Sequence, residues 1–177
     1  MKLLDSLLDQ ITMYKLLVYY LLALIGAAML LSALGILSYN PIAILVLSAY
    51  AVTLCWIANK LFAYLFKVPA NPESPVITGL ILALIITPLL IQSNFLFIAA
   101  ASGLAMASKY LITIGNKHLF NPVAIAVLAT SLGAGQAASW WIGSAALAPF
   151  VLIGGLLLVR KIRRGAMVAC FFWALII

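Results

Sequence analysis

The sequence predicts an all-α protein, a polytopic bundle of transmembrane helices in which some helices are short or broken. Three observations predict it. Hydrophobic residues make up 67% of the chain and charged residues only 7%, against about 45–50% and about 25% in soluble domains. So few charges could not clothe a water-facing surface. Several apolar runs are long enough to cross a bilayer core, which takes about 20 residues of helix. The 10 Lys and Arg residues gather around the ends of those runs, as topology signals do.

Taken in order, "MKLLDSLLDQITMYK" (1–15) reads as an amphipathic segment at the membrane surface. Leu3, Leu4, Leu7, Leu8 and Ile11 recur at helical spacing. Asp5 and Asp9 beside its lysines, and the length of the apolar run that follows, set it apart from a cleavable signal peptide. The first span is expected from Leu16 to Leu37, closed by "SYNP", where Asn40-Pro41 is a turn followed by a fresh helix start. The second runs from Pro41 to Phe66, with Lys60 and Lys67 at its end. "VPANPESP" then holds three prolines and Glu73 and cannot be regular helix.

The third apolar segment, Val76–Leu90, is short for a crossing and is interrupted at Thr87-Pro88. The fourth, Phe95–Ile114, carries a stripe of Ala101, Gly103, Ala105 and Ala107 that allows close helix packing in lipid. After "GNKHLFNP", Val123–Leu132 spans only about half a membrane at about 1.5 Å per residue. "GAGQAASWW" is a turn whose Trp140 and Trp141 suit an interfacial belt. A further span, Ile142–Val159, leads into "RKIRR". The last segment, Ala166–Ile177, ends without cap or charge and reads as the start of another helix in a longer chain. The expected organisation is a surface segment 1–15, a membrane domain 16–164 built as a five-helix, repeat-like unit, and a further helix start at 165–177.

Alternating the spans from an inside N-terminus puts all 10 basic residues on one side. The opposite turns, "SYNP", "LLIQSN" and "SLGAGQAASWW", carry no charge. The positive-inside rule makes the basic side, with the N-terminus and the basic loops, cytoplasmic; the chain is expected to be integral to the cytoplasmic (inner) membrane of a prokaryote. The charge is spread over these turns and is not a nucleic-acid footprint. Cys55 and Cys170 lie inside apolar stretches, form no metal spacing and read as small buried hydrophobes.

With one histidine and three acidic residues, the usual acid/base pairs and metal sites are excluded. No nucleotide-cradling glycine motif occurs, and no Asp, Glu or Lys is expected inside a span as a proton or ion relay. What remains is a repeated device. "NPESPVITGL" and "NKHLFNPVAIAV" each set Asn-Pro before a short apolar helix on the basic side. Helix N-termini present unpaired N–H groups and partial positive charge, and transporters build sites from such broken helices. Ser74, Thr78 and Asn121, with Lys117 and His118 adjacent, suit a polar or anionic ligand group. The competing reading is structural: helix capping and close packing for Ser74, Thr78 and Gly79, and interfacial anchoring for His118.

"SPVITGLILALIITP", "NKHLFNPVAIAV" and "PFVLIGGLLLVRKIRR" resemble the NqrB/RnfD family of membrane subunits, from the sodium-pumping NADH:quinone reductase and the Rnf ferredoxin:NAD oxidoreductase. The resemblance covers about residues 40–164. It implies a fold of two related five-helix halves, flavin binding, electron transfer and partner subunits, with quinone a candidate acceptor. It makes Ser74, Thr78, Gly79, Lys117, His118 and Asn121 candidates for holding riboflavin or FMN noncovalently. The family's motif for covalent FMN on threonine, S-G-A-T or G-E-T-S, does not occur here. The implied function is a subunit or module of a membrane oxidoreductase, acting with other subunits or a fused flavin/nicotinamide reductase domain. A small-solute channel and a plain membrane anchor are the rival expectations.

Overall fold

The structure is a computed structural model that describes residues 10–69, 71–114, 117–118, 120–135 and 138–176, with backbone only at 114, 117–118, 134 and 176. Most of the surface segment 1–15 therefore lies outside the described residues. Among the described residues seven α-helices follow one another: α1 Met13–Ala33, α2 Pro41–Phe66, α3 Glu73–Ile85, α4 Gln92–Leu111, α5 Pro122–Ala134, α6 Ala148–Lys161 and α7 Gly165–Ile176. A two-residue antiparallel hairpin, β1 Thr113–Ile114 with β2 Lys117–His118, joins α4 to α5. A 3₁₀ turn at Trp141–Gly143 precedes α6.

Helices α1, α2 and α4 are long and apolar enough to cross a membrane, and the chain is a helical membrane protein in contact with lipid. Helix α2 has the bounds the sequence predicts. Helix α1 starts and ends earlier than expected, because Leu34 caps it and Gly35 turns left-handed at φ 74°. Each Asn-Pro pair starts a helix by one mechanism: the Asn side chain accepts from a backbone N–H just downstream. Asn40 accepts from Ile42 N at 2.8 Å and Asn121 from Val123 N at 3.0 Å. Asn71 accepts from Glu73 N at 3.0 Å and Ser74 N at 3.4 Å. Proline then occupies a position whose N–H has no intrahelical partner.

The expected span Ile142–Val159 is corrected: helix begins only at Ala148 and runs 14 residues. Pro149 is the reason. Inside a longer helix it would remove a hydrogen bond and clash with the preceding turn, so it sits at the start. Cys55 is buried as expected, but Cys170 is exposed. The helix that carries Cys170, α7, has its main contact among the described residues with α6, and most of its side chains are exposed.

The organising element is the 13-residue α3. It is too short to cross, yet its buried residues face two cores. Leu82, Ala83 and Ile85 join α2, α4 and α5 around Ala51, Ile98, Ala105 and Met106. Ile77, Leu80 and Leu84 join α1 around Leu24, Ile25, Trp141 and Leu147. A helix apolar all round belongs inside, and the longer helices surround it.

Gly79 sets its distance from α2. A Cβ there would lie 2.6 Å from the Val52 Cα and 2.8 Å from the Val52 nitrogen, so only glycine permits this approach. Helix α6 leans on α1 in a related way. A Cβ at Gly154 would overlap the Tyr20 ring, and the Tyr20 hydroxyl donates to Val151 O at 3.2 Å.

The chain breaks after Ile85 within the bundle, as Thr87-Pro88 predicts, and the carbonyls of Ala83, Ile85, Thr87 and Leu89 find partners elsewhere. Ile85 O accepts from Ser139 N at 2.9 Å and Trp140 N at 3.0 Å, and the Trp141 indole donates to Ala83 O at 3.0 Å. Asn94 Nδ2 donates to Thr87 O and Leu89 O, both at 2.9 Å. Trp141 is thus a buried cap, and its ring meets Tyr39 edge-on at 5.2 Å. That contact brings the uncharged segments "SYNP" (38–41) and "ASWW" (138–141) together.

The packing predicts contrasting glycine variants. Gly79→Ala should destabilise the protein by about 1–3 kcal/mol through overpacking. Gly26→Ala, where nothing lies within 4 Å, should leave it unchanged or slightly stabilised. Thermal unfolding in detergent would check both, and equal behaviour of the two variants would contradict the α2–α3 contact.

Candidate functional site

At the end of the bundle opposite Trp141, the last turn of α2, the first turn of α3 and the last turn of α4 enclose a cavity of about 440 Å³. Its polar lining comes from Asn59, Asn71, Ser74, Lys109, Tyr110 and Thr113. Tyr14, Phe66, Val68 and Pro69 supply its apolar rim.

Two local rules build the polar wall. The Asn71 cap fixes the start of α3, and helical periodicity then sets Ser74 and Thr78, four residues apart, on one face. The Thr78 hydroxyl donates to Ser74 O at 3.0 Å. Onto this pair descends Lys109 from α4. Its Nζ donates to Ser74 Oγ at 2.8 Å, Thr78 Oγ1 at 2.8 Å and Ser74 O at 3.2 Å. The side chain is only 8% exposed. A lysine ammonium has three donors, and all three find neutral oxygens. Hydrogen bonds to a charged group are each worth about 1.5–3 kcal/mol, so the group is anchored, but no carboxylate meets it among its bonded partners.

The expectation that no lysine lies within a span is corrected here. Lys109 was counted with the basic residues at the span ends, but it lies within α4, which runs to Leu111, and its side chain is buried. Of the three spanning helices, α4 has the lowest mean hydropathy, 1.2, and the most enclosed apolar window, 50% buried against 28% and 33%. The helix that carries Asn94, Ser102, Ser108 and Lys109 is therefore the one turned inward, as the desolvation cost of polar groups in lipid requires.

Beside the polar wall stands an aromatic one. The Tyr110 ring stacks on Phe66 at 5.7 Å and 28°, and on Phe62 at 5.7 Å and 27°. The Tyr110 hydroxyl donates to Asn59 Oδ1 at 3.0 Å and Asn59 O at 3.2 Å, which fixes the ring. A flat aromatic face next to hydrogen-bonding groups can hold a planar, polar-edged molecule, and the volume lies in the usual range for small-molecule sites, about 300–1,000 Å³.

The sequence candidates divide between this cavity and other places. Ser74 lines it, and Thr78 stands behind Ser74 through Lys109. Gly79 instead contacts α2, where its role is close packing. Asn121 is exposed and its Oδ1 is committed to the α5 cap. The side chains of Lys117 and His118 lie outside the described residues. The backbone of His118 pairs in register with Thr113, which lines the cavity. Sequence reasoning missed Lys109, Tyr110, Asn59 and Phe66. The usable signal was "SKY" ahead of the helix end, with Asn59 embedded in an apolar span.

The lysine clasp predicts coupling. Thr78→Val should destabilise by about 1.5–3 kcal/mol by stripping one acceptor from the buried amine. The Thr78→Val/Lys109→Met pair should lose less than the sum of the single variants, by about 1 kcal/mol or more. Additive losses in a double-mutant cycle by thermal unfolding would refute the clasp.

Comparison with family models, curated proteins and solved structures finds no match for this chain.

Proposed function

We propose that this chain is an electron-transport membrane subunit, or membrane module of an oxidoreductase, that binds a flavin noncovalently in the cavity around Ser74, Lys109 and Tyr110. The observation that carries this reading is the stacked Phe66–Tyr110 face beside a buried ammonium and hydroxyl. The aromatic pair would receive a ring face, while Lys109 and Ser74 would donate to a carbonyl or phosphate oxygen. The flavin supplies the one- and two-electron chemistry, and the protein binds it, orients it and sets its electrostatics. Lys117 and His118 follow β1 in the hairpin whose Thr113 reaches the cavity, so they remain candidates to close it. Asn121 and Gly79 act as cap and packing residue.

The motif resemblance to NqrB/RnfD subunits supports the same reading. It adds a partner reductase subunit or fused domain as electron donor and a membrane acceptor such as quinone. The half-length α3 and α5 are also parts from which a solute channel is built. Here, however, the core where they meet α4 is filled by Leu82, Ile98 and Met106, exposed by 0%, 1% and 0%. That packing favours a binding module over an open path.

The basic end carries Lys15, Lys60, Lys67 and Lys109, and we place it at the cytoplasmic face of a prokaryotic inner membrane. With Cys55 and Cys170 replaced, Lys67→Cys should resist an impermeant thiol reagent in intact cells and Ser38→Cys should react. The reverse pattern would overturn the orientation.

The purified full chain should be yellow, or become so on reconstitution with riboflavin or FMN. Tyr110→Ala should bind the flavin about tenfold more weakly through loss of ring contact. A protein that stays without flavin absorbance after reconstitution would sink the reading.

A further inference from the structure

We propose that the cavity is a phosphate-ester site, in which the Lys109 ammonium and the Ser74 hydroxyl receive an anionic phosphate oxygen. The proposal shares its cavity with the flavin reading but rests on Lys109, so it survives if the ligand carries no flavin ring. Three observations lead to it. Lys109 is 8% exposed as a residue, and the partners of its ammonium are three neutral oxygens with no carboxylate among them. A buried charge is ordinarily paired with an opposite charge. Lys109 lines an open cavity, so a counter-charge can be delivered from outside the chain.

The second observation is the geometry of the hydroxyls. Ser74 Oγ accepts from Lys109, and its own hydrogen has no acceptor among the partners found for it, so it can turn toward the cavity. The Thr78 hydroxyl cannot, because it donates to Ser74 O. Ser74 and Lys109 thus present one O–H and one ammonium at the same point. The Ser74 carbonyl at 3.2 Å is the longest of the three lysine contacts and the one an anion would displace. Charge-assisted bonds of this kind are shorter and stronger than those to a neutral oxygen.

The third is the sign of the surroundings. Ser74 lies in the first turn of α3, where the helix contributes partial positive charge. A lysine is disfavoured there unless an anion joins it. Glu73, the acidic residue of that turn, is not part of the cavity lining. The apolar rim of Tyr14, Phe66 and Val68 adjoins the polar floor, which fits an amphiphilic phosphate ester. A soluble flavin mononucleotide and an anionic phospholipid headgroup share that chemistry.

The full chain, purified in a neutral detergent, should be melted in chloride and in inorganic phosphate at matched ionic strength. Parallel melts should use micelles containing phosphatidylglycerol or phosphatidylcholine. Phosphate or phosphatidylglycerol should raise the Tm by about 3 °C or more, as expected for a ligand well above its Kd. Lys109→Gln should need at least about tenfold more of the anion for the same shift. Ser74→Ala keeps the Thr78 contact and preserves a folded protein, and it should show a weaker loss in the same direction. A response to inorganic phosphate, with FMN bound more tightly than riboflavin, identifies a soluble ester. A response to phosphatidylglycerol only identifies a headgroup. No anion-specific shift in the unmodified protein, or equal shifts in the protein and both variants, would overturn the site. Colourless protein that still responds to phosphate would remove the flavin reading and leave this one standing.

Discussion

The structure depends on one constraint: a backbone polar group held away from water must find a partner within the protein. A helix that crosses the bilayer meets it along its own axis. Helix α3 cannot, because it stops at Ile85. Its start is satisfied by the Asn71 side chain, and its end by the backbone of Ser139 and Trp140 and the Trp141 indole. The extended residues beyond it draw on Asn94. These contacts come from segments far apart in the chain. The α1–α2 turn, the α4 start and the segment before α6 are therefore drawn to the broken end of one short helix.

The same constraint explains where polarity is tolerated. Helix α4 carries Asn94 near one end and Lys109 near the other, each spent on the irregular ends of α3. Asn94 supplies donors to carbonyls that have lost their helix partners. Lys109 supplies donors to Ser74 and Thr78 but brings a charge that they do not neutralise. The first arrangement is closed; the second is open toward a cavity. That asymmetry separates a structural polar contact from a candidate site, although both involve one buried side chain from one helix.

Much of the architecture was legible in the sequence because lipid reduces the problem to length, hydropathy and punctuation. Pro41–Phe66 is bounded by Asn-Pro on one side and a lysine on the other, and the structure keeps both ends. Thr87-Pro88 marked the break after α3, and the Asn-Pro pairs marked helix starts. The site was legible only in part. Ser74 and Thr78 stood out as polar residues in a proline-interrupted start, but the same letters fit a cap. Gly79 and Asn121 joined them on spacing, and their contacts turned out to be with the Val52 backbone and the α5 amide of Val123. The burial of Lys109 was missed because a lysine two residues from a helix end has the same hydropathy signature whether it points to water or inward.

By itself the sequence determined the class, the order of the apolar helices and the limits of Pro41–Phe66. Those properties follow from local composition: a residue's transfer cost into lipid, and the inability of proline and glycine to continue a helix, do not depend on distant partners. Only the tertiary structure decided which short helix is central, that Trp141 is a cap, and that Lys109 turns from the membrane edge onto Ser74 and Thr78. Each of these is a contact between residues 31 or more positions apart. Their energy comes from satisfying a group that the chain left open elsewhere. No local pattern contains that information, because the need and its answer lie on different helices.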